Sequence, residues 1–314
     1  MGKINKPTFT MCVGIPGAGK STWLENNKEE LNFIIHSSDA IREELGDVND
    51  QSKNELVFNI LHKRIKDDLL NGNNVVYDAT NLSRKRRMNF INNELKNIPC
   101  RKICVLFATP VECCKKNNAN RERKVPEEVI DRMVRNFEVP CKQEGWDSVR
   151  IKWWDYKKEG MEFNIAKDLC EWAKISHDNP HHALSIGHHM LKAEDYYGEM
   201  DTNHLPLIYD VIIMHDCGKP ATKNFVDSKG NPSTTAHYYN HNNYGAYQSL
   251  FYLKELEMYS YEEILYGSLL IELHMRPFLA WKQSDKSKEK DRRLFGDETI
   301  KLLEIINQCD RAAH

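Results

Sequence analysis

The chain has 314 residues, room for about two ordinary domains. Hydrophobic residues make up 40% and charged residues 29%, a profile that excludes a disordered chain. The net charge of −2 excludes blanket nucleic-acid binding, so any polynucleotide contact must come from a local basic patch.

Up to about residue 156, short apolar runs alternate with amphipathic stretches. Phe9–Val13, Phe33–His36, Val75–Tyr77, Ile103–Ala108 and Val149–Trp154 read as buried strands. Helical stretches lie between them, such as Glu55–Leu70 with Leu56, Ile60, Leu61, Ile65 and Leu69 at spacings near 3.6. This alternation predicts an α/β domain with a parallel sheet covered on both faces. Lys157–Gly160 is a polar break, after which β-type runs nearly vanish. The remainder reads as helices over Phe163–Lys174, Ala183–Ala193, Leu205–Met214, Tyr244–Leu256, Tyr261–Leu273 and Asp297–Asp310, with Lys282–Arg293 a solvated loop. The expected architecture is an α/β domain over 1–158 and an all-α domain over 159–314.

The nine cysteines are an odd number without a Cys-x-x-Cys pair, which predicts a reducing compartment. No run approaches the roughly 18 apolar residues of a membrane span. Met1–Lys6 lacks a signal-peptide core, and Lys6 stands where myristoylation wants Ser or Thr. A cytosolic address is expected.

Gly14-Ile15-Pro16-Gly17-Ala18-Gly19-Lys20-Ser21 is a full Walker A pattern, placed after an apolar strand and before a helix beginning near Thr22. Its glycines let backbone N–H groups and the helix N-terminus face a triphosphate. Lys20 would neutralise the β- and γ-phosphates of ATP and Ser21 would hold Mg²⁺. Asp39 and Arg42 follow the second strand on one side of a helical turn. Asp39 suits two roles there, a base for an incoming hydroxyl or a helix cap, and Arg42 can grip an acceptor phosphate. Asp78, Thr80 and Asn81 end the third strand, at the sheet edge where ligands bind. Of two basic runs, Arg84–Arg87 is expected to be a solvated face. Arg121, Arg123 and Lys124 lie where a lid would close over ATP.

Taken together, Gly14–Ser21, Asp39-x-x-Arg42, Asp78-x-Thr80-Asn81, Arg121–Pro126 and Glu138-x-Pro140 resemble the 5′-hydroxyl polynucleotide kinases of nucleic-acid repair, over residues 8–156. The resemblance implies an ATP and Mg²⁺ site on Gly14, Pro16, Gly17, Ala18, Gly19, Lys20, Ser21 and Thr22. It also implies Asp39 as general base, Arg42 on the acceptor, and Arg121 as a lid arginine. Phage members carry a second lid arginine where this chain has Asn117, which makes Arg123 the candidate replacement.

All but two of the 13 histidines, His36 and His62, fall after residue 176. His215-Asp216 closes an apolar helix, with His188 upstream and His241, His274 and Asp310 downstream, each in or beside a helical stretch. Imidazoles with carboxylates suit a transition metal, whereas Mg²⁺ favours oxygen ligands. Residues 178–314 resemble the HD phosphohydrolase superfamily, particularly the HD module attached to bacterial tRNA nucleotidyltransferases. The run His215-Asp216-Cys217-Gly218-Lys219-Pro220…His241-x-x-x-Gly245-Ala246 carries that likeness. It implies His188, His215, Asp216 and Asp310 around one ion, with His241 and His274 adding a second, as Mn²⁺, Co²⁺, Ni²⁺ or Zn²⁺. Lys219 has two readings, a phosphate contact or a surface lysine in a turn. His177, His181, His182, His189, His204, His237 and His314 are left unassigned.

The two resemblances together imply end healing of RNA or DNA in the cytosol of a bacterium or phage-infected host, upstream of a ligase. A 5′-hydroxyl would gain phosphate, and a 2′,3′-cyclic or terminal phosphate would be removed. The alternative is a small-molecule or nucleoside kinase fused to a nucleotide phosphohydrolase.

Overall fold

The apolar runs of the first half pair into one five-stranded, wholly parallel sheet: β1 (Thr8–Val13), β2 (Phe33–Ser37), β3 (Asn74–Asp78), β4 (Arg101–Ala108) and β5 (Ser148–Trp153) in the order β2-β3-β1-β4-β5. The computed structural model describes residues 6–47, 50, 52–180 and 183–314, so Met1–Asn5, His181 and His182 lie outside the described residues. The helices of this half are α1 (Lys20–Leu31), α2 (Ser38–Glu44), α3 (Asn54–Leu70), α4 (Arg84–Asn89), α5 (Val111–Ala119) and α6 (Glu127–Val134). Helix α3 buries Val57, Leu61, Ile65 and Leu69, a strict four-residue ladder, while Leu56 faces solvent. The expected apolar face was therefore one residue out of phase at its start.

The chain divides into two compact units, and the division is not the single cut expected at 158/159. One unit runs up to Ile130 and adds Pro140–Gly160; the other is Asp131–Val139 with Met161–His314. The 131–139 segment belongs to the second unit because its groups are satisfied there. Val139 N–H donates to Glu272 (2.7 Å), Asn243 Nδ2 donates to the Phe137 carbonyl (2.8 Å), and Phe137 meets Tyr247 edge-on.

The basic run of α4 is a solvated face only in part: Lys85 and Arg86 are exposed, whereas Arg84 and Arg87 are buried. Arg87 is fully buried and forks onto Glu144 at 2.7 and 2.6 Å, with its remaining N–H groups on the carbonyls of Asn81 (3.0 Å) and Leu82 (2.8 Å). Glu144 also accepts from Trp146 Nε1 at 3.0 Å. A buried bidentate pair whose other donors are also used can hold a loop in one place. The loop held here is the one leaving β3.

The second unit is helical, as expected: α7 (Ile165–Trp172), α8 (Ile186–Glu199), α9 (Pro206–Met214), α10 (Lys219–Thr222), α11 (His241–Glu255), α12 (Tyr261–Leu273), α13 (Asp285–Phe295) and α14 (Asp297–Ala312). Two features depart from expectation. An antiparallel hairpin of β6 (Asn224–Val226) and β7 (Pro232–His237) closes through Asp227, whose side chain accepts from the N–H groups of Lys229 and Asn231, both at 2.8 Å. The stretch read as a solvated loop forms α13. Its charges are arranged helically, with Glu289 pairing Arg292 and Arg293 at 2.9 and 3.0 Å, Asp285 in the first turn and arginines in the last. No helix among the described residues is long and apolar enough to cross a membrane.

Gly218, just before α10, packs directly on the start of α11. A Cβ at Gly218 would stand 2.0 Å from the His241 carbonyl oxygen and 2.6 Å from the Gly245 nitrogen. Only glycine permits that approach, which sets the end of α9 beside the start of α11. Gly218→Ala should therefore lower the stability of the second unit by about 2–3 kcal/mol, read as an earlier midpoint in urea unfolding.

Candidate functional site

In the first unit the phosphate loop leaves β1, the central strand, at the carboxyl edge of the sheet. Gly17 and Gly19 have φ of 81° and 84°, and a Cβ on Gly17 would lie 2.1 Å from the Cys114 carbonyl oxygen. The loop is pinned from both sides. Gly14 N–H donates to the Thr80 carbonyl (3.1 Å), Thr109 Oγ1 to the Ala18 carbonyl (3.0 Å), and Asn117 Nδ2 to the Gly17 carbonyl (2.9 Å). Asn117 is thus a brace for the loop, not a missing arginine. Lys20, which opens α1, bonds the Gly14 and Ile15 carbonyls at 2.8 and 3.0 Å; Ser21 and Thr22 follow in its first turn.

Burial pulls the Lys20 ammonium below its ordinary pKa, with the nearby Asp78 carboxylate opposing. Burial likewise pushes the Asp78 carboxyl up, while Lys20 and Arg121 pull it back and Asp39 adds to the rise. Lys20, Asp78, Asp39 and Arg121 therefore share one electrostatic neighbourhood. The register explains why: β2 and β3 pair Ser37 with Asp78, so their carboxyl ends finish level and Asp39 begins its helix beside Asp78.

Ser37 caps α2, its hydroxyl accepting from Asp39 N–H at 3.2 Å, so Asp39 is not the cap. Asp39 is half-exposed and receives Arg42 Nη1 and Arg123 Nη1, both at 2.9 Å and both on Oδ1. Arg42 is buried, with its other arm on Asn54 at 2.8 Å. Arg123 thus reaches the candidate base rather than the loop. Asn118, buried in α5, holds the Arg121–Val125 turn through two bonds with the Val125 backbone, at 2.8 and 3.0 Å.

In the second unit two groups of potential ligands share one carboxylate. His189, His215, Asp216 and Asp310 form the first; Asp216, His241 and His274 form the second. Within the first, His189 Nε2 lies 3.0 Å from Asp310 Oδ1 and 3.4 Å from Asp216 Oδ2, and His215 Nε2 lies 3.3 Å from Asp216 Oδ2. Within the second, Asp216 Oδ1 stands 3.2 Å from His241 Nε2 and 3.7 Å from His274 Nε2. Asp216 turns one oxygen to each group.

His188, expected as a ligand, is not in either group. It occupies the third position of α8, exposed, with Nδ1 2.8 Å from the hydroxyl of the capping Ser185. The next residue, His189, which had been left unassigned, is fully buried and takes the place. Helical phase could have found this: Ile186, Met190, Ala193 and Tyr197 form the buried stripe of α8, and His189 lies on it while His188 does not.

The ring orientations fit a cation. Nδ1 of His215, His241 and His274 faces the carbonyl of Ile212 (2.6 Å), Tyr238 (2.9 Å) and Ile271 (2.7 Å). An N–H spent on a carbonyl leaves Nε2 as an acceptor pointing inward. Yet His241 and His274 bring their Nε2 atoms within 3.3 Å of each other, as do His215 and His189. Acceptors so close need positive charge between them. Burial works against a charged His215, but Asp216 and Asp310 outweigh it and lift its pKa to about 10. Burial and the neighbouring His241 and His215 lower that of His274 to about 3, which keeps its imidazole neutral. Burial alone would raise the Asp216 carboxyl; Lys219 and His215 hold it well below its ordinary range. Lys219 is neither a surface lysine nor, in this geometry, a free phosphate contact. It is buried, 2.6 Å from Asp216 Oδ2 and 3.3 Å from His177 Nε2.

The profile of the family described as "AAA domain" matches residues 9–140. L-seryl-tRNA(Sec) kinase of Methanococcus maripaludis is 28% identical over 54% of this chain and 71% of its own length. Protein kti12 of Schizosaccharomyces pombe is 26% identical over 43% of this chain and 53% of its own. Among solved structures, a chain of the Pnkp1/Rnl/Hen1 RNA repair complex is 21% identical over 51% of this chain and 48% of that one, with a TM-score of 0.39. This chain thus spans about half the length of two of these three. The profile match, the parallel sheet and the phosphate loop give the N-terminal half an α/β P-loop kinase fold.

Two tests follow from this geometry. Asn117→Ala should raise the Kd for ATP about 3- to 10-fold, the worth of one hydrogen bond, measured by calorimetry. His189→Ala should lose most of the manganese that the wild type retains through gel filtration, while His188→Ala retains it all. The reverse pattern would restore the sequence-based ligand set.

Proposed function

We propose that the chain is a bifunctional end-healing enzyme, with a kinase unit that phosphorylates a 5′-hydroxyl of a polynucleotide and a second unit that removes a 2′,3′-cyclic or terminal phosphate. The observation that carries the kinase half is Asp39, placed at the loop's edge by the strand register and relieved of capping by Ser37. In this reading Asp39 takes the proton of the attacking hydroxyl and Arg42 holds a phosphate of the acceptor strand. Lys20 and Arg121 offset charge on the transferring group, and Ser21 holds Mg²⁺ with ATP. The relative named as a seryl-tRNA kinase favours a second reading, in which the acceptor hydroxyl is carried elsewhere on an RNA.

The second half rests on Asp216 serving two groups of inward-facing imidazoles. His189, His215, Asp216 and Asp310 would hold one transition ion, and His241 and His274 with Asp216 another. Such ions supply an activated water and charge stabilisation for a departing oxygen. The carbonyls of Ile212, Tyr238 and Ile271 keep the rings in the ligating tautomer, and Lys219 orients Asp216. A 5′-phosphate and a 3′-hydroxyl are the ends a ligase joins, so a ligase is the expected next step.

The decisive experiment incubates the protein with labelled ATP and 5′-hydroxyl oligomers ending in 2′,3′-cyclic phosphate, as RNA and as DNA, with seryl-tRNA as a separate acceptor. Asp39→Ala should lower kcat for 5′ phosphorylation about 10²- to 10⁴-fold with little change in ATP affinity. Asp216→Ala should abolish 3′-end processing and spare the kinase. After chelation, Mg²⁺ alone should restore the kinase, and Mn²⁺, Co²⁺ or Ni²⁺ the 3′-end activity. Label transfer to seryl-tRNA only would favour the second acceptor.

A further inference from the structure

A cavity of about 300 Å³ opens in the second unit, lined by Pro277, Phe278, Lys282, Asn307 and Arg311. Its position in the chain is unusual. Arg311 follows the candidate ligand Asp310 directly on α14, and Asn307 lies one turn earlier on the same face as Arg311. Pro277 stands three residues after the candidate ligand His274, at the start of a single π-helical turn, Pro277–Trp281. Such turns recur at functional sites. The rim of the cavity is thus built by residues that follow a ligand of each group by one or three positions in the chain.

The lining chemistry is specific. Lys282 and Arg311 form no ion pair among the described residues, although the unit is otherwise laced with them: Arg276 with Asp291, Lys288 with Glu304, Arg292 with Glu289. Phe278 is 52% exposed, and the Lys282 ammonium stands 5.4 Å from its ring centre. An exposed ring bordered by two cations can take an aromatic group and an anion together. A surface that offers a ring face with two cations at its border matches a nucleotide: the base stacks, and the flanking phosphates meet the cations. Asn307 adds an amide able to bond a base edge or a ribose hydroxyl.

We propose that this cavity is the seat of the nucleotide next to the phosphorylated end, so that the second unit reads a polynucleotide strand rather than a lone phosphoester. The proposal rests on the phosphohydrolase reading of the Asp216 groups and adds the element that makes the substrate a strand.

Two readouts on the full-length protein separate the two ideas. The first is binding, by fluorescence anisotropy, of a 5′-phosphorylated RNA oligomer with a terminal 3′-phosphate over a range of salt. Phe278→Ala should weaken it roughly 5- to 100-fold, and Lys282→Ala and Arg311→Ala should each reduce the salt slope by about 0.7. The second is the ratio of kcat/KM for that oligomer to kcat/KM for p-nitrophenyl phosphate with Mn²⁺, which should fall at least about 10-fold in all three variants. All three side chains lie at a surface cavity, and circular dichroism of each variant confirms the fold. Unchanged binding and an unchanged ratio would overturn the cavity's role. An equal loss on both substrates would also overturn it, since that pattern marks support of the ligands. If the wild type hydrolyses neither substrate but the variants still lose binding, the phosphohydrolase reading fails and the cavity stands as a strand site.

Discussion

Asp216 is a carboxylate set 1% exposed among apolar helices, and it remains charged only because of what surrounds it. An isolated buried carboxylate would take up a proton instead. Lys219 at 2.6 Å and His215 at 3.3 Å keep it ionised, and its second oxygen faces His241. Each partner comes from a different local element: His215 from the end of α9, Lys219 from α10, His241 from the start of α11 and His274 from the end of α12. The glycine contact at Gly218 and the helix ends that present Ile212, Tyr238 and Ile271 carbonyls to the rings are the backbone side of the same arrangement. Loss of one partner would strand the charge, so the four ends must arrive together.

The first unit handles buried charge in two ways. Arg87 is spent on Glu144 and on backbone carbonyls, and Glu144 on Arg87 and Trp146, so the pair is structural and fixes the loop beyond β3. Lys20 and Asp78 are near each other without such a closed pairing: the ammonium bonds two loop carbonyls, and its burial disfavours the charge it carries. An anionic phosphate would relieve that deficit. The turn that carries Arg121 and Arg123 is anchored locally, since Asn118 clamps the backbone at Val125.

The two units offer different donor sets to a cation. An oxygen-rich phosphate loop with a serine suits Mg²⁺ and ATP, whereas imidazoles with two carboxylates suit a softer ion. Under the proposed reading, two reactions on phosphate would then not compete for the same metal.

Strands and the phosphate loop were legible because their signals are local. A buried parallel strand is a short apolar run, and the Walker pattern constrains its own backbone through Gly17 and Gly19. Most helices of the second unit, and His215, Asp216, His241, His274 and Asp310 as a set, were legible for the same reason of pattern and order. The choice between His188 and His189 was also within reach of the helical phase of α8. Three things were decided only by tertiary structure. The burial of Arg87 depended on Glu144, 57 positions away, and that of Lys219 on folding back against Asp216 and His177. The assignment of 131–139 to the second unit depended on Glu272 and Asn243, more than a hundred residues downstream. Residue type and spacing determine what a side chain is able to do; whether a charge is buried, and against which partner, is set by contacts that no local window contains.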